Sequence, residues 1–551
     1  MSFSSAAHSL SFHSRALARL AASLVRTGIV SPAGGVRAAA ATPGILARYR
    51  FTTARELEQG ARACPDRLAL IDDDGTLTYR QLRDQARTFA RHLLSLNLDE
   101  IRLGVMARNG RGIIIPLGAK GLAGGSIFLL NIGSSAEQLA GVIAENRINV
   151  LVMDDEFVDR LPAGVNETTH VIIAHESGQA DKAARWPRLA DIVRHPERVD
   201  HLRLPVLPRH GHIVLMSSGT TGIPKGIIRN EPTLPVVVAS IMSTMPWRAD
   251  QRVQLTASIF HTWGWACLNI ALAARNTIVT RRVFDPVACL RDIQRYRLDG
   301  LLSSPVFYLR MVEADPDGAY DASSLRFIAS SGHALSPSIV QRTIDRFGPI
   351  LCNIYGSTEL ALAATATAEQ IAADPTIGGE VASGTRLRIL DRDGHEVPRG
   401  EVGEIYLTNS TALIGYTNPT IQSKRAQGLI SIGDLGRIDA DGNLHVVGRA
   451  DDMIIVGGEN VHPQSVTEVL ETMDGIRELH SAGVDDPETF ARVAVWVVPE
   501  DSPAGKELTA DKIREFVRAN LADHSVPRDV HFLDLLPRNA TGKVVPRQLP
   551  R

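Results

Sequence analysis

The chain has 551 residues, 44% hydrophobic and 22% charged, with a formal net charge of −2. That length allows several subdomains with ample core, and the composition is that of a soluble globular protein. The near-zero charge gives no global signal for a nucleic-acid partner. The four cysteines, Cys64, Cys267, Cys289 and Cys352, form no CxxC pair, which favours a reducing compartment over a disulfide scaffold.

Residues 1–55 carry seven arginines and no acidic residue. Three readings stand: a cleaved organellar presequence, a retained amphipathic arm on an anionic membrane surface, or a merely disordered or packed leader. The retained arm is favoured. With it comes an expected location in the cytoplasm, peripheral on the inner face of the plasma membrane, or the mitochondrial matrix for a eukaryotic source. No uninterrupted apolar run reaches spanning length; the stretch 232–246 reads as a buried helix.

From residue 56 the chain alternates. A hairpin is expected around Asp72–Gly75, then a helix from Tyr79 to Leu96 and a strand at Leu103–Met106. Helices follow at Ile113–Gly124 and Ser135–Ala144, and a strand at Asn149–Met153. Later come strands near Gln254–Ala257, Thr277–Thr280, Leu301–Ser304, Ser324–Ala329 and Cys352–Ile354, with helices at Pro286–Tyr296 and Ser336–Phe347. This is the texture of α/β layers. After Gly378, short alternating segments predict a small antiparallel sheet or barrel. From residue 451 a final α+β unit begins. The expected organisation is a leader (1–55), a large α/β domain of two subdomains plus the β-barrel-like piece (56–450), and a smaller mobile α+β domain (451–551).

The segment Met216–Ile228, MSSGTTGIPKGII, is the sharpest local signal. Gly219, Gly222 and Gly226 permit close backbone approach, Ser218, Thr220 and Thr221 add donors, and Lys225 adds a cation. It is a phosphate cradle, yet not the common P-loop, because Gly226 stands where a Mg²⁺-binding Ser or Thr belongs. Any metal must therefore find another ligand. Further polar islands lie at Gly332-His333-Ala334, Tyr355-Gly356-Ser357-Thr358-Glu359, Ser431–Gly436, Gly448–Val461 and Arg538–Lys543.

SSGTTGIPKG, YGSTE, SIGDLGRIDADGNLHVVGRADDMIIVGGENVHP and the terminal NATGK together resemble the core motifs of the adenylate-forming superfamily. That superfamily comprises acyl-CoA synthetases, luciferases and peptide-synthetase adenylation domains, and the fatty acyl-CoA synthetase branch is the nearest in character. The resemblance implies ATP-dependent activation of a carboxylic acid as acyl-AMP, then transfer to CoA. It implies that Thr220, Thr221 and Lys225 hold the β- and γ-phosphates and that Glu359 ligates Mg²⁺. Thr358 would touch the α-phosphate. Tyr355 would stack on adenine, with Gly332, His333 and Ala334 on its other face. Asp434 would accept the ribose hydroxyls, and Arg449 would pair with ribose or phosphate.

Lys543 is implied as the catalytic cation of acid activation, and Asp451 as the hinge about which its domain turns. Gly457, Gly458 and Glu459 would then line a pantetheine channel. Phe260-His261-Thr262-Trp263-Gly264 matches a segment bordering the acyl pocket, with Phe260 and Trp263 as apolar walls. His261 would gate that pocket or position the carboxylate; a core histidine is the alternative. A medium- or long-chain fatty acid is the expected substrate. Alternatives are an aryl or steroid acid, a carrier-protein phosphopantetheine as acceptor, and a non-catalytic acyl- or nucleotide-binding scaffold. Oligomeric state is left open.

Overall fold

The computed structural model describes the chain except residues 1–2, 31–34, 179–182, 217–223, 230–235, 334, 451, 453, 457–458, 487–489, 540–542 and 551. Three sheets organise it. The first has a parallel centre in which Arg252–Leu255, Gly300–Ser303, Phe327–Ser330 and Leu351–Tyr355 lie side by side. Gly300–Ser303 and Phe327–Ser330 at its middle are fully buried and their two neighbours mostly so, as strands covered on both faces should be. Beyond Leu351–Tyr355 the sheet turns antiparallel through Ala364–Ala366 and Ile377–Val381 into Asn443–Arg449, Leu429–Ile438, Gly403–Thr408 and Arg386–Leu390. The antiparallel piece expected after Gly378 is therefore hydrogen-bonded in line with the parallel strands.

The second sheet sets Arg102–Met106 between Gly125–Leu129 and Val150–Met153, and continues parallel through His170–Ile173 on one side and His210–Met216 on the other. At its far edge His210–Met216 pairs antiparallel with Gly226–Arg229, Met216 opposite Gly226. The strands that flank the glycine-rich segment in the chain are thus antiparallel neighbours, whereas a P-loop leads from a strand into a helix. A Cβ on Gly226 would lie 2.6 Å from Thr417 and 2.9 Å from Val214, so the strand is closed to any larger residue.

Local chemistry sets the helix starts. Thr78 and Gln81 form a reciprocal capping box for Tyr79–Ser95, and Ser135 with Gln138 does the same for Ala136–Glu145. Asp285 caps Pro286–Tyr296, with proline at the first helical position. The large α/β domain with several sheets is followed by a smaller α+β domain. There Ile476–Asp486 and Phe490–Pro499 form a long antiparallel pair, and Pro463–Leu470 and Ala510–Asn520 are its main helices.

The leader departs from a free membrane arm. Helices Phe3–Arg26 and Gly35–Tyr49 pack on the large domain, burying Ala16, Leu20, Ile45 and Tyr49. Its arginines bond to distant elements: Arg19 to Ser383 Oγ, Arg26 to the Met242 carbonyl and Arg48 to the Pro205 carbonyl. Arginine suits this role because its forked guanidinium satisfies acceptors at a packed surface. No helix among the described residues is long and apolar enough to cross a membrane.

Candidate active site

The four adjacent parallel strands of the first sheet end along one edge, where open α/β sheets present ligand-binding loops. Tyr355 closes Leu351–Tyr355, Gly332 and His333 follow Phe327–Ser330, Ser304 and Pro305 follow Gly300–Ser303, and His261 lies beyond Arg252–Leu255. All of these residues line one cleft of about 1940 Å³. The C-terminal domain covers it, contributing Gln464, Glu468, Glu471, Glu478, Arg538 and Lys543.

At the centre Tyr355 donates its hydroxyl to Asp434 Oδ2, and Arg449 Nη1 donates to Asp434 Oδ1 at 3.0 Å. Asp434 and Arg449 face each other across the antiparallel pair, so strand register fixes their meeting. Both carboxylate oxygens are engaged, but each keeps a lone pair for another donor. Burial raises the Asp434 carboxyl, while Tyr355, Arg449 and Lys543 draw it back down.

The turn after Tyr355 is forced by Gly356, where a Cβ would sit 1.7 Å from the Ala361 carbonyl oxygen. Ala361 itself takes φ +61°, and its N–H returns to the Ser357 carbonyl at 2.8 Å. This presents Thr358 and Glu359 to the cleft. Beneath them lies Arg229, which sequence reasoning missed. It is buried, donates to the carbonyls of Thr358 (3.2 Å) and Thr411, and burial lowers its pKa to about 10 with Glu359 opposing. Its signal in the sequence was slight: one arginine ending an apolar strand.

Lys543 is held in place by Asn539. Asn539 and Lys543 exchange backbone and side-chain bonds, Asn539 N to Lys543 O at 2.8 Å and Lys543 N to Asn539 Oδ1 at 3.0 Å, and Arg538 bridges to Val544. Lys543 lines the cleft. Desolvation lowers its pKa and Arg449 adds to that, while Asp434 and Glu359 hold the proton on. Its charge in turn helps depress His261 and His333, each lowered to about 4 chiefly by desolvation.

His261 precedes helix Thr262–Ala273, and its Nε2 has no hydrogen-bond partner among the described residues. Gly264 allows this helix to start against the Ser258 carbonyl, 2.2 Å from where a Cβ would stand. Trp263 donates to the Ser303 carbonyl and lines the cleft. Phe260, expected as a pocket wall, is instead packed in the core at 2% exposure and does not line it. Helix Pro305–Ala314, not anticipated as a helix, supplies Val306, Phe307 and Leu309.

Of the anticipated residues, Lys543, His261, Gly332, His333, Tyr355, Gly356, Thr358, Glu359, Asp434 and Arg449 thus converge. Lys225 is exposed and does not line the cleft. Ser218, Gly219, Thr220, Thr221, Gly222, Ala334, Asp451, Gly457 and Gly458 lie outside the described residues, and of Glu459 only the backbone, in strand Glu459–Val461, is described.

The sequence profile of the AMP-binding enzyme family matches residues 57–417, and that of the AMP-binding enzyme C-terminal domain matches 465–543. The chain belongs to the AMP-binding enzyme family. As an AMP-binding enzyme it is a member of the adenylate-forming superfamily and an ATP-dependent acid–thiol ligase. Feruloyl-CoA synthase of Amycolatopsis sp is 28% identical over 89% of this chain and 97% of its own. A methyl-dioxo-octahydroindenyl-propanoyl:CoA ligase of Mycobacterium tuberculosis is 27% identical over 90% of this chain and 98% of its own. Among solved structures, the amide bond synthetase McbA from Marinactinospora thermotolerans superposes with a TM-score of 0.76 at 25% identity, covering 89% of this chain and 97% of that one. The anthranilate CoA ligase AuaEII shares the fold at a TM-score of 0.80 and 22% identity, over 90% of this chain and 96% of that one.

Proposed function

We propose that this AMP-binding enzyme is an acid–CoA ligase acting on an apolar monocarboxylic acid, with a medium- or long-chain fatty acid as the first candidate. The observation that carries the reading is the convergence of Lys543 with Asp434, Arg449 and Glu359 in one cleft whose remaining walls are largely apolar. In the first step a carboxylate oxygen of the acid attacks the α-phosphorus of ATP, and the bond to pyrophosphate breaks. Lys543 orients the carboxylate and stabilises charge gathering on the α-phosphate oxygens. Asp434 accepts ribose hydroxyls, Tyr355 with Gly332, His333 and Ala334 sandwiches the base, and Thr358 meets the α-phosphate. Thr220, Thr221 and Lys225 bind the outer phosphates.

The Glu359 carboxylate faces the cleft and accepts no side-chain hydrogen bond among the described residues, which suits an oxygen ligand for Mg²⁺. When bound, Mg²⁺ would neutralise phosphate charge there. In the second step a thiolate attacks the acyl carbon and AMP leaves. Lys543 withdraws for that step by rotation at Asp451, and Gly457, Gly458 and Glu459 border the incoming pantetheine of CoA.

A second reading, an aryl or steroid-type acid, is favoured by the feruloyl-CoA and steroid-fragment ligases among the relatives. Acid-dependent ATP consumption over a panel of aliphatic, aryl and polycyclic acids, with and without CoA, separates the two. AMP and acyl-CoA in equal amounts with fatty acids support the first. Formation of ADP, or no dependence on any acid, contradicts the ligase assignment.

A further inference from the structure

The family's shared region begins at residue 57, yet the cleft does not stop there. Leu20 and Leu24 of helix Phe3–Arg26, Ile29 beyond it, Leu46 of helix Gly35–Tyr49, and Phe51 all line the same cavity. Helix Thr262–Ala273 relates them to the reaction centre. Thr262, Trp265, Ala266, Asn269, Ile270 and Ala273 all line the cavity, and their spacing puts them in one stripe along a helix. The start of that stripe adjoins His261, which feels the charge of Lys543. Its far end is about 17 Å away at 1.5 Å per residue. Just past that end, Arg275 donates to the carbonyls of Gly28 (2.7 Å) and Ile29 (3.0 Å).

We propose that the N-terminal helices are the far wall of the acid pocket, and that Leu24 and Leu46 set the size of apolar acid the enzyme accepts. The inference rests on the acid-ligase reading of the same cleft. An acid with its carboxylate near Lys543 extends along the stripe and abuts the leader. The wall is fixed at both helices. Beyond the Arg26 and Arg48 bonds, the Ala249 N–H donates to the Thr27 carbonyl at 2.7 Å, and His210 Nε2 lies 2.9 Å from the Arg48 carbonyl oxygen. A wall so anchored discriminates by volume, and a methylene too many in such a pocket costs roughly tenfold or more.

The test uses the full chain and a graded series of saturated acids, reading kcat/KM for AMP formation. Leu24→Trp should lower the value for the longest accepted acids by about tenfold relative to the shortest. Leu46→Ala should shift the preference towards longer acids. The KM for ATP should stay put in both. Val25→Trp, on the same helix but facing outward at 67% exposure, should keep the wild-type profile. An unchanged size profile in both Leu24→Trp and Leu46→Ala overturns the proposal, and Leu46→Ala decides alone if Leu24→Trp does not fold. Failure of the ligase reading looks different, since the wild type would then respond to no acid at all.

Discussion

Arg538 donates through both Nη2 (2.6 Å) and Nε (3.2 Å) to a single oxygen of Glu478. The pair ties the segment that precedes Lys543 to the long strand Ile476–Asp486. The lysine's approach to the cleft is therefore set by an ion pair five residues away, both partners about four-fifths buried. Glu478→Ala should remove the carboxylate that holds Arg538 and loosen the segment around Lys543. Adenylate formation should fall by about tenfold or more, in keeping with a positioning effect, while thioester formation from supplied acyl-AMP falls less. Steady-state and single-turnover rates on both half-reactions check this; equal losses would show that the pair acts through general stability.

Gly356→Ala should be severely damaging. The new methyl would overlap the Ala361 carbonyl oxygen, 1.7 Å away, and the neighbour is backbone with little freedom to move. The turn carrying Thr358 and Glu359 would shift. ATP affinity should fall by at least tenfold in a variant that still folds, as judged by equilibrium nucleotide binding alongside a thermal melt.

Domain closure should depend on pH through Glu471. Burial, reinforced by Glu468 and opposed by Ser336 of the large domain, raises its carboxyl to about 7. A carboxyl whose pKa rises on closure binds its proton more tightly in the closed form. Closure is then fully favoured below the ordinary carboxylate range, weakens as pH rises towards about 7, and levels off above it. The change is up to about tenfold per pH unit within that window. His333 and His480, both lowered to about 4, act in the opposite sense by resisting closure as pH falls below about 6.5. Glu471→Gln isolates the carboxylate. Donor–acceptor fluorescence across the two domains should show the variant more closed than wild type at pH 8, with the two converging only once the pH falls below the ordinary carboxylate range, about pH 4. Identical curves would contradict the effect.

Much of this architecture was legible because its determinants are local. Helix Pro286–Tyr296 is announced by a capping Asp and an initial Pro, and the hairpin Leu68–Asp72 with Gly75–Thr78 by its turn residues. The site islands were legible as chemistry, because Gly356, Gly226 and Asp434 are demanded by contacts their own segments make. What stayed hidden was non-local. The leader's arginines read as a surface charge pattern because their acceptors, at Pro205, Met242 and Ser383, are hundreds of residues away in the chain. Arg229 ends an apolar strand that gives it no distinguishing pattern, and composition does not tell which side chains of a loop face a cavity and which, like Phe260, face the core. Strand Ala364–Ala366 is too short and too evenly buried to show any period.

If Lys543 acts in acid activation and not in thioester formation, its removal must affect the two half-reactions differently. The direct measurement is the rate of each half-reaction in Lys543→Ala. Adenylation should drop by roughly 10²–10³, as for loss of a donor aimed at developing oxyanion charge, while CoA-dependent release from supplied acyl-AMP stays near the wild-type rate. Equal loss of both rates, or adenylation at wild-type speed, would contradict it.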